Sequence, residues 1–85
     1  NFNQTRQHDA GDIVAPMNGS LIACLVESGQ NVDEGEALLV VEAMKMEHTI
    51  YASTAGIVGE IYYRVGDLVA AEAQLLHLNP LPQEA

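Results

Sequence analysis

Aliphatic residues arrive in short bursts along this chain, Leu21-Ile22, Leu38-Leu39-Val40-Val41, Ile57-Val58 and Leu75-Leu76, and polar clusters containing glycine separate them. Nowhere is a 3.6-residue period sustained, and the runs are too short for anything but strands. The spacing predicts strands over Ile13–Ala15, Ser20–Val26, Leu38–Glu42, Met46–Ala52, Ile57–Arg64 and Leu75–Leu78, with extended pieces near Val32 and Val69. Turns fall at Met17-Asn18-Gly19, Ser28-Gly29-Gln30, Asp33-Glu34-Gly35-Glu36, Thr54-Ala55-Gly56 and Val65-Gly66-Asp67, where Gly, Asn and Asp supply tight-turn conformations.

The two halves repeat. A displacement of 37 lays Ile13 on Ile50, Ala15 on Ala52, Gly19 on Gly56, Gly29 on Gly66, Val32 on Val69, Leu38 on Leu75 and Leu39 on Leu76. Turn glycines and strand aliphatics coincide together. Two similar β units that bury their apolar faces against each other make an all-β fold, a flattened barrel or sandwich of two antiparallel sheets with pseudo-twofold symmetry. In the fifth strand Glu60 and Arg64 share a parity, which sends Ile57, Ile61 and Tyr63 to the core. Cys24 aligns with Ile61 and is read as a core residue too. His77 aligns with Val40 on the face opposite Leu76 and Leu78 and reads as solvated surface, as does His8 in the polar start.

The ends are different. Residues 1–11 are polar apart from Phe2 and Ala10 and read as a flexible linker, residues 12–79 as one domain, and residues 80–85, with two prolines, as a flexible tail. The chain begins without Met, as a piece of something longer would. At 85 residues, 48% of them hydrophobic, it can bury a core without staples, and its one cysteine forms no internal disulfide. A reducing setting follows, cytoplasmic or mitochondrial matrix. Three Lys+Arg against twelve Asp+Glu give a formal charge of −9, which repels phosphate backbones and anionic lipid. Nucleic acid and membrane are not expected partners, and no apolar run reaches the ~20 residues of a membrane span.

No active site is legible. Ser20, Ser28 and Ser53 lie at turns and strand ends, no Cys/His or carboxylate cluster has metal-ligand spacing, and no phosphate-cradling glycine loop is present. Lys45 is the only lysine, and it falls where Leu38–Glu42 and Met46–Ala52 would meet, at a hairpin tip. Glu42 and Glu47 flank it, and neighbouring anions favour an ammonium over a free amine. Such a lysine is no self-activated nucleophile but a group that other active sites modify. If Met44 and Lys45 are the two central residues of a tight hairpin, both need positive φ. His48, three residues on, is close enough in sequence to meet whatever is attached, although a strand-face histidine is more often structural or merely exposed.

Glu42-Ala43-Met44-Lys45-Met46 resembles the biotinylation motif of biotinyl domains, the biotin carboxyl carrier modules of biotin-dependent carboxylases. Ala15-Pro16-Met17-Asn18-Gly19 is similar to that family's Ala-Pro-Met-Pro-Gly segment, with Asn18 in place of the second proline, and Gly29-Gln30-Asn31-Val32 resembles its Gly-x-x-Val turn. The likeness covers Ile13–Leu78 and leaves no room for the protruding loop of some acetyl-CoA carboxylase carriers. Met44–His48 looks most like the C-terminal module of acyl-CoA carboxylase α subunits of the methylcrotonyl- or propionyl-CoA type. The resemblance implies a non-catalytic carrier with biotin as its cofactor, amide-linked to Lys45 by a biotin protein ligase, within a site made of Glu42, Ala43, Met44, Lys45 and Met46. It implies two further partners, a biotin carboxylase domain that loads a carboxyl group using bicarbonate and ATP, and a carboxyltransferase domain or subunit that takes it away. On this reading Met44 is recognition surface, and Met46, which shares parity with Ile50, is either recognition surface or packing. The alternatives are a lipoyl-type carrier, whose tip usually reads Asp-Lys-Ala, and a non-catalytic β-domain that binds a protein partner with Lys45 incidental.

Overall fold

The computed structural model describes residues 12–81. The linker expected over residues 1–11, with His8, and the last four residues of the expected tail lie outside them. Eight strands follow in order: β1 (Asp12–Val14), β2 (Gly19–Cys24), β3 (Asn31–Val32), β4 (Ala37–Ala43), β5 (Met46–Tyr51), β6 (Gly56–Ile61), β7 (Leu68–Val69) and β8 (Gln74–Pro80). They form two four-stranded antiparallel sheets, ordered β1-β8-β6-β3 and β5-β4-β2-β7. The expected strands and turns are present, with β6 ending sooner and β8 running on to Pro80, which pairs with Gly56.

The displacement by 37 is obeyed by the backbone itself. It carries β2 onto β6, β3 onto β7 and β4 onto β8, and the last three residues of β5 lie where β1 lies in the first copy. One sheet is thereby mapped onto the other. The hydrogen bonds that extend the β3–β6 and β7–β2 pairings repeat as well: Gly29 N–H donates to the Val58 carbonyl and Gly66 N–H to that of Leu21, both at 2.7 Å. Val58 N–H and Leu21 N–H answer by donating to the carbonyls of Gln30 and Asp67, both at 2.9 Å. Each copy clips itself onto the other through its own turn, which closes the sandwich at its edges.

The core is wholly apolar among the described residues, with Leu21, Leu38, Leu39, Val41, Val58, Leu75, Leu76 and Leu78 as its largest fully buried side chains. Consecutive leucines are both buried at Leu38-Leu39 and at Leu75-Leu76, which a regular strand forbids. Bulges resolve this. Leu39 pairs with Ile50 but Ala37 with Tyr51, so Leu38 is an extra residue in β4, and Leu75 is extra in β8 in the same way.

A further bulge, matched by one in β2, corrects the facing expected in β6. Ile61 and Tyr63 pack against the core, as does Cys24, but Ile57 is 39% exposed and Val58 is buried in its stead. Val58 pairs with Leu78 and Ile61 with Leu76, so β6 carries one residue too many between them and its alternation changes phase. The parity of Glu60 and Arg64 holds only beyond that point.

His77, expected as solvated surface, keeps 35% of its side chain exposed but is also engaged by a neighbouring strand. It stands on the face opposite the leucines, yet β1 runs alongside and sets Asp12 directly across from it. His77 Nδ1 lies 3.2 Å from Asp12 Oδ1, with Asp12 only 13% exposed, and the Gln74 side-chain amide donates to the same oxygen at 2.5 Å. The cluster fastens β1 to β8.

Candidate functional site at the β4–β5 hairpin

β4 and β5 are joined by two residues, Met44 and Lys45, with Ala43 and Met46 as the closing pair. Met44 has φ 53° and Lys45 φ 66°. Positive φ at both central residues is the type I′ hairpin, whose twist matches that of the strands and whose usual occupants are Asn-Gly. Two residues with side chains are held here in the left-handed region instead, at a cost of about 1–2 kcal/mol each. The pairing of Glu42 with Glu47, Val41 with His48 and Val40 with Thr49 below the tip holds the turn in this shape.

The side chains divide sharply. Met44 is 86% exposed, and Lys45, Met46, Glu42 and Glu47 are exposed too, whereas Ala43 is buried. Met46 is 62% exposed, so it is not part of the packed core. Glu42 and Glu47 stand directly across from one another beneath the turn. His48 lies half-buried opposite Val41, on the strand below.

Ala43 has a neighbour that the motif alone does not disclose. Ser20 pairs with Glu42, which brings Gly19 beside Ala43. A Cβ on Gly19 would overlap the Glu42 carbonyl oxygen, lie 2.9 Å from Val41 Cγ1 and 3.1 Å from the Ala43 Cβ. Gly19 is therefore the residue that lets β2 lie flat against the root of the hairpin. Gly56, its counterpart, meets the backbone of Asn79 and Pro80 in the same way. Coincidence of the two glycines in the repeat was the available signal, and it marked them only as turns. Asn18 was likewise legible only as a turn residue; its Oδ1 accepts from the Ala71 N–H at 2.7 Å and ties the turn before β2 to the loop after β7.

Chemically, this site offers one primary amine at the apex of a stiff two-stranded arm. Lys45 forms no ion pair or side-chain hydrogen bond among the described residues, so no contact of its own holds the amine. Among those residues no group of three His, Cys, Asp or Glu could hold a metal ion. The site fits a covalent pendant, and the type of pendant is decided by comparison with known proteins. The model of the biotin/lipoyl family, described as "Biotin-requiring enzyme", matches residues 11–78. The chain belongs to this family.

Among its relatives, the biotin carboxyl carrier protein of acetyl-CoA carboxylase from Solanum lycopersicum is 43% identical over 69 residues, 81% of this chain and 99% of that protein. The mitochondrial methylcrotonoyl-CoA carboxylase subunit alpha of Arabidopsis thaliana is 38% identical over 76 residues, 89% of this chain and 10% of that one. The chain thus spans about a tenth of such α subunits. A single-chain, multi-domain long-chain acyl-CoA carboxylase shares the fold, with a TM-score of 0.78 at 24% identity over 93% of this chain and 8% of its own. The lipoyl domain of the 2-oxoglutarate dehydrogenase complex from Azotobacter vinelandii superposes with a TM-score of 0.71 at 26% identity, covering 80% of this chain and 94% of that domain. The chain is a non-catalytic carrier domain of the biotin carboxyl carrier kind, and its covalent cofactor is biotin.

Proposed function

We propose that Lys45 is the residue that bears the biotin, and that Glu42, Ala43, Met44 and Met46 present it to the enzymes that act on it. The observation that carries this reading is the turn: the chain's only lysine occupies a strained, exposed position at a hairpin apex, φ 66°, beside an almost fully exposed methionine. A ligase that binds the hairpin has Met44 and Met46 as apolar handles on either side of the amine. Once deprotonated in the ligase's site, Lys45 Nζ attacks the acyl carbon of biotin's adenylate. The amide C–N bond forms, the acyl–phosphate bond breaks and AMP leaves. Loss of the ammonium takes the formal charge from −9 to −10.

When bound, biotin supplies a ureido nitrogen that takes up a carboxyl group and gives it away. This chain's residues supply reach and a fixed root. The amide-extended side chain has about ten rotatable bonds, and it pivots on a hairpin whose lower half is pinned by Ala43 and Gly19. We place the domain in an acyl-CoA carboxylase, of the α-subunit type represented by the methylcrotonoyl relatives. There it serves a biotin carboxylase site and a carboxyltransferase site, in a reducing compartment that suits the free Cys24.

Co-expression with a biotin protein ligase and, separately, with a lipoyl ligase tests this by intact mass and peptide mapping. A biotinyl amide on Lys45 is the expected product. A lipoyl amide at Lys45, or no modification by either ligase, overturns the assignment.

A further inference from the structure

Beside the hairpin the sheet ends in an open groove of about 570 Å³, lined by Asn18, Gly19, Ser20, Leu68, Val69 and Ala70. Leu68 is 80% exposed and stands as a large apolar side chain at the edge of this groove. The repeat makes the point sharper, because Leu68 corresponds to Asn31, so in the other copy a polar residue occupies this place. Only the groove next to Lys45 has the leucine.

The sheet registers fix where this groove lies. Gly19 pairs with Val69 on one side and sits against Ala43 on the other, so the groove is two strand spacings, on the order of 10 Å, from the hairpin root. Lys45 extended by a valeryl amide has ten or so bonds of about 1.5 Å, which in zigzag reach on the order of 12 Å. Its end can therefore fall back onto β7. The lining suits a ring that is apolar on one side and carries a urea on the other: Leu68 and Ala70, both exposed, provide apolar surface, while Val69 beneath them is part of the core. The Ser20 hydroxyl and the Asn18 side-chain amide nitrogen, which donates to no described residue, provide donors for a urea oxygen. Asn18 Oδ1 is already engaged by Ala71 N–H, which orients that amide.

We propose that this groove is a resting site for the biotin ring carried by the chain's own Lys45, in which the ring lies against Leu68 with its ureido oxygen toward Asn18 and Ser20. The inference rests on Lys45 being the attachment point. Its occupant is this tethered arm, because the arm's reach matches the distance, and the corresponding place in the repeat, with Asn31 for Leu68, has no lysine at its side: in the sequence Pro82 stands where Lys45 stands in the first copy.

The test is nuclear magnetic resonance on the full isotopically labelled chain, unmodified and biotinylated, with intact mass recorded on each sample. Expected are cross-relaxation between ring protons and the Leu68 methyls, amide shift changes at Asn18, Ser20 and Leu68–Ala70, and loss of both in Leu68→Asn, a substitution at a highly exposed position that copies Asn31. A chain that gains no biotinyl mass at Lys45 overturns the attachment reading and the resting site with it. A biotinylated chain whose shift changes stay within Met44–Met46 overturns the resting site alone. Shift changes in the groove that appear only after a biotin protein ligase is added, and equally in the unmodified chain, assign it to a protein partner and overturn the resting site as well.

Discussion

Gly19 and Ala43 meet at the root of the hairpin with no space between them for another side chain: a Cβ on Gly19 would lie 3.1 Å from that of Ala43 and inside the Glu42 carbonyl oxygen. Because the obstruction is backbone, it cannot swing aside. Gly19→Ala must part β2 from β4 just below the turn, and we expect a loss of roughly 2–3 kcal/mol, the upper range of overpacking penalties. Thermal unfolding of the two chains checks this. A melting temperature within 2 °C of the parent would show that the strands absorb the methyl group. Biotinylation by the ligase should slow in parallel, since the shifted strand is the one that holds Glu42 and Ala43.

Met44 is the cheapest place to trade stability against recognition. Its φ of 53° suits glycine, and Met44→Gly relieves about 1–2 kcal/mol of backbone strain while adding roughly 0.5–1 kcal/mol of unfolded-chain entropy. The variant should melt a few degrees higher than the parent. It should also be a poorer ligase substrate, with kcat/KM lower by about tenfold, which is what ~1.4 kcal/mol of lost contact amounts to. A variant that is stabilised yet modified at the parent rate would show that Met44 is not a handle.

The hairpin was legible in the sequence for a simple reason. One lysine between two aliphatic runs leaves one site for lysine chemistry, and a tight hairpin centred on Met44 and Lys45 requires positive φ at both. The sheets were legible through the repeat, since glycines at 19, 29, 56 and 66 fall in step with the aliphatics around them. The bulges were not. An extra residue in a strand has no composition of its own, so the burial of Val58 in place of Ile57, and of both Leu38 and Leu39, appears only once partners are paired. Contacts between segments far apart in the chain were equally invisible: Asp12 with His77, Asn18 with Ala71, Gly19 with Ala43, and the groove that β2 and β7 make together.

Gly66 separates backbone strain from crowding. Its φ is 102°, and a Cβ built there meets nothing within 4 Å. Any loss in Gly66→Ala is thus conformational, and we expect about 1–2 kcal/mol. Its counterpart Gly29, with φ 91° and the same open surroundings, should cost a similar amount on substitution. Denaturant unfolding of Gly66→Ala and Gly29→Ala gives the two numbers directly. Values that differ by more than about 1 kcal/mol would mean that the two halves, alike in backbone, do not share the load equally.

Glu42 and Glu47 face each other below the tip, and like charges directly opposite on a sheet repel by up to ~1 kcal/mol. Lys45 places a positive charge near them until it becomes an amide. Biotinylation should then lower stability slightly, by a few tenths of a kcal/mol, at low ionic strength, with the difference vanishing as salt shortens the screening length to about 3 Å near 1 M. In Glu47→Gln one of the two carboxylates near Lys45 is gone, and the low-salt difference between biotinylated and unmodified chains should shrink to about half. Lys45→Arg completes the comparison: it keeps the cation, cannot be biotinylated, and should unfold within ~0.5 kcal/mol of the unmodified parent because the side chain is exposed. Persistence of the salt-sensitive difference at its full size in Glu47→Gln would place its origin elsewhere than in this carboxylate pair.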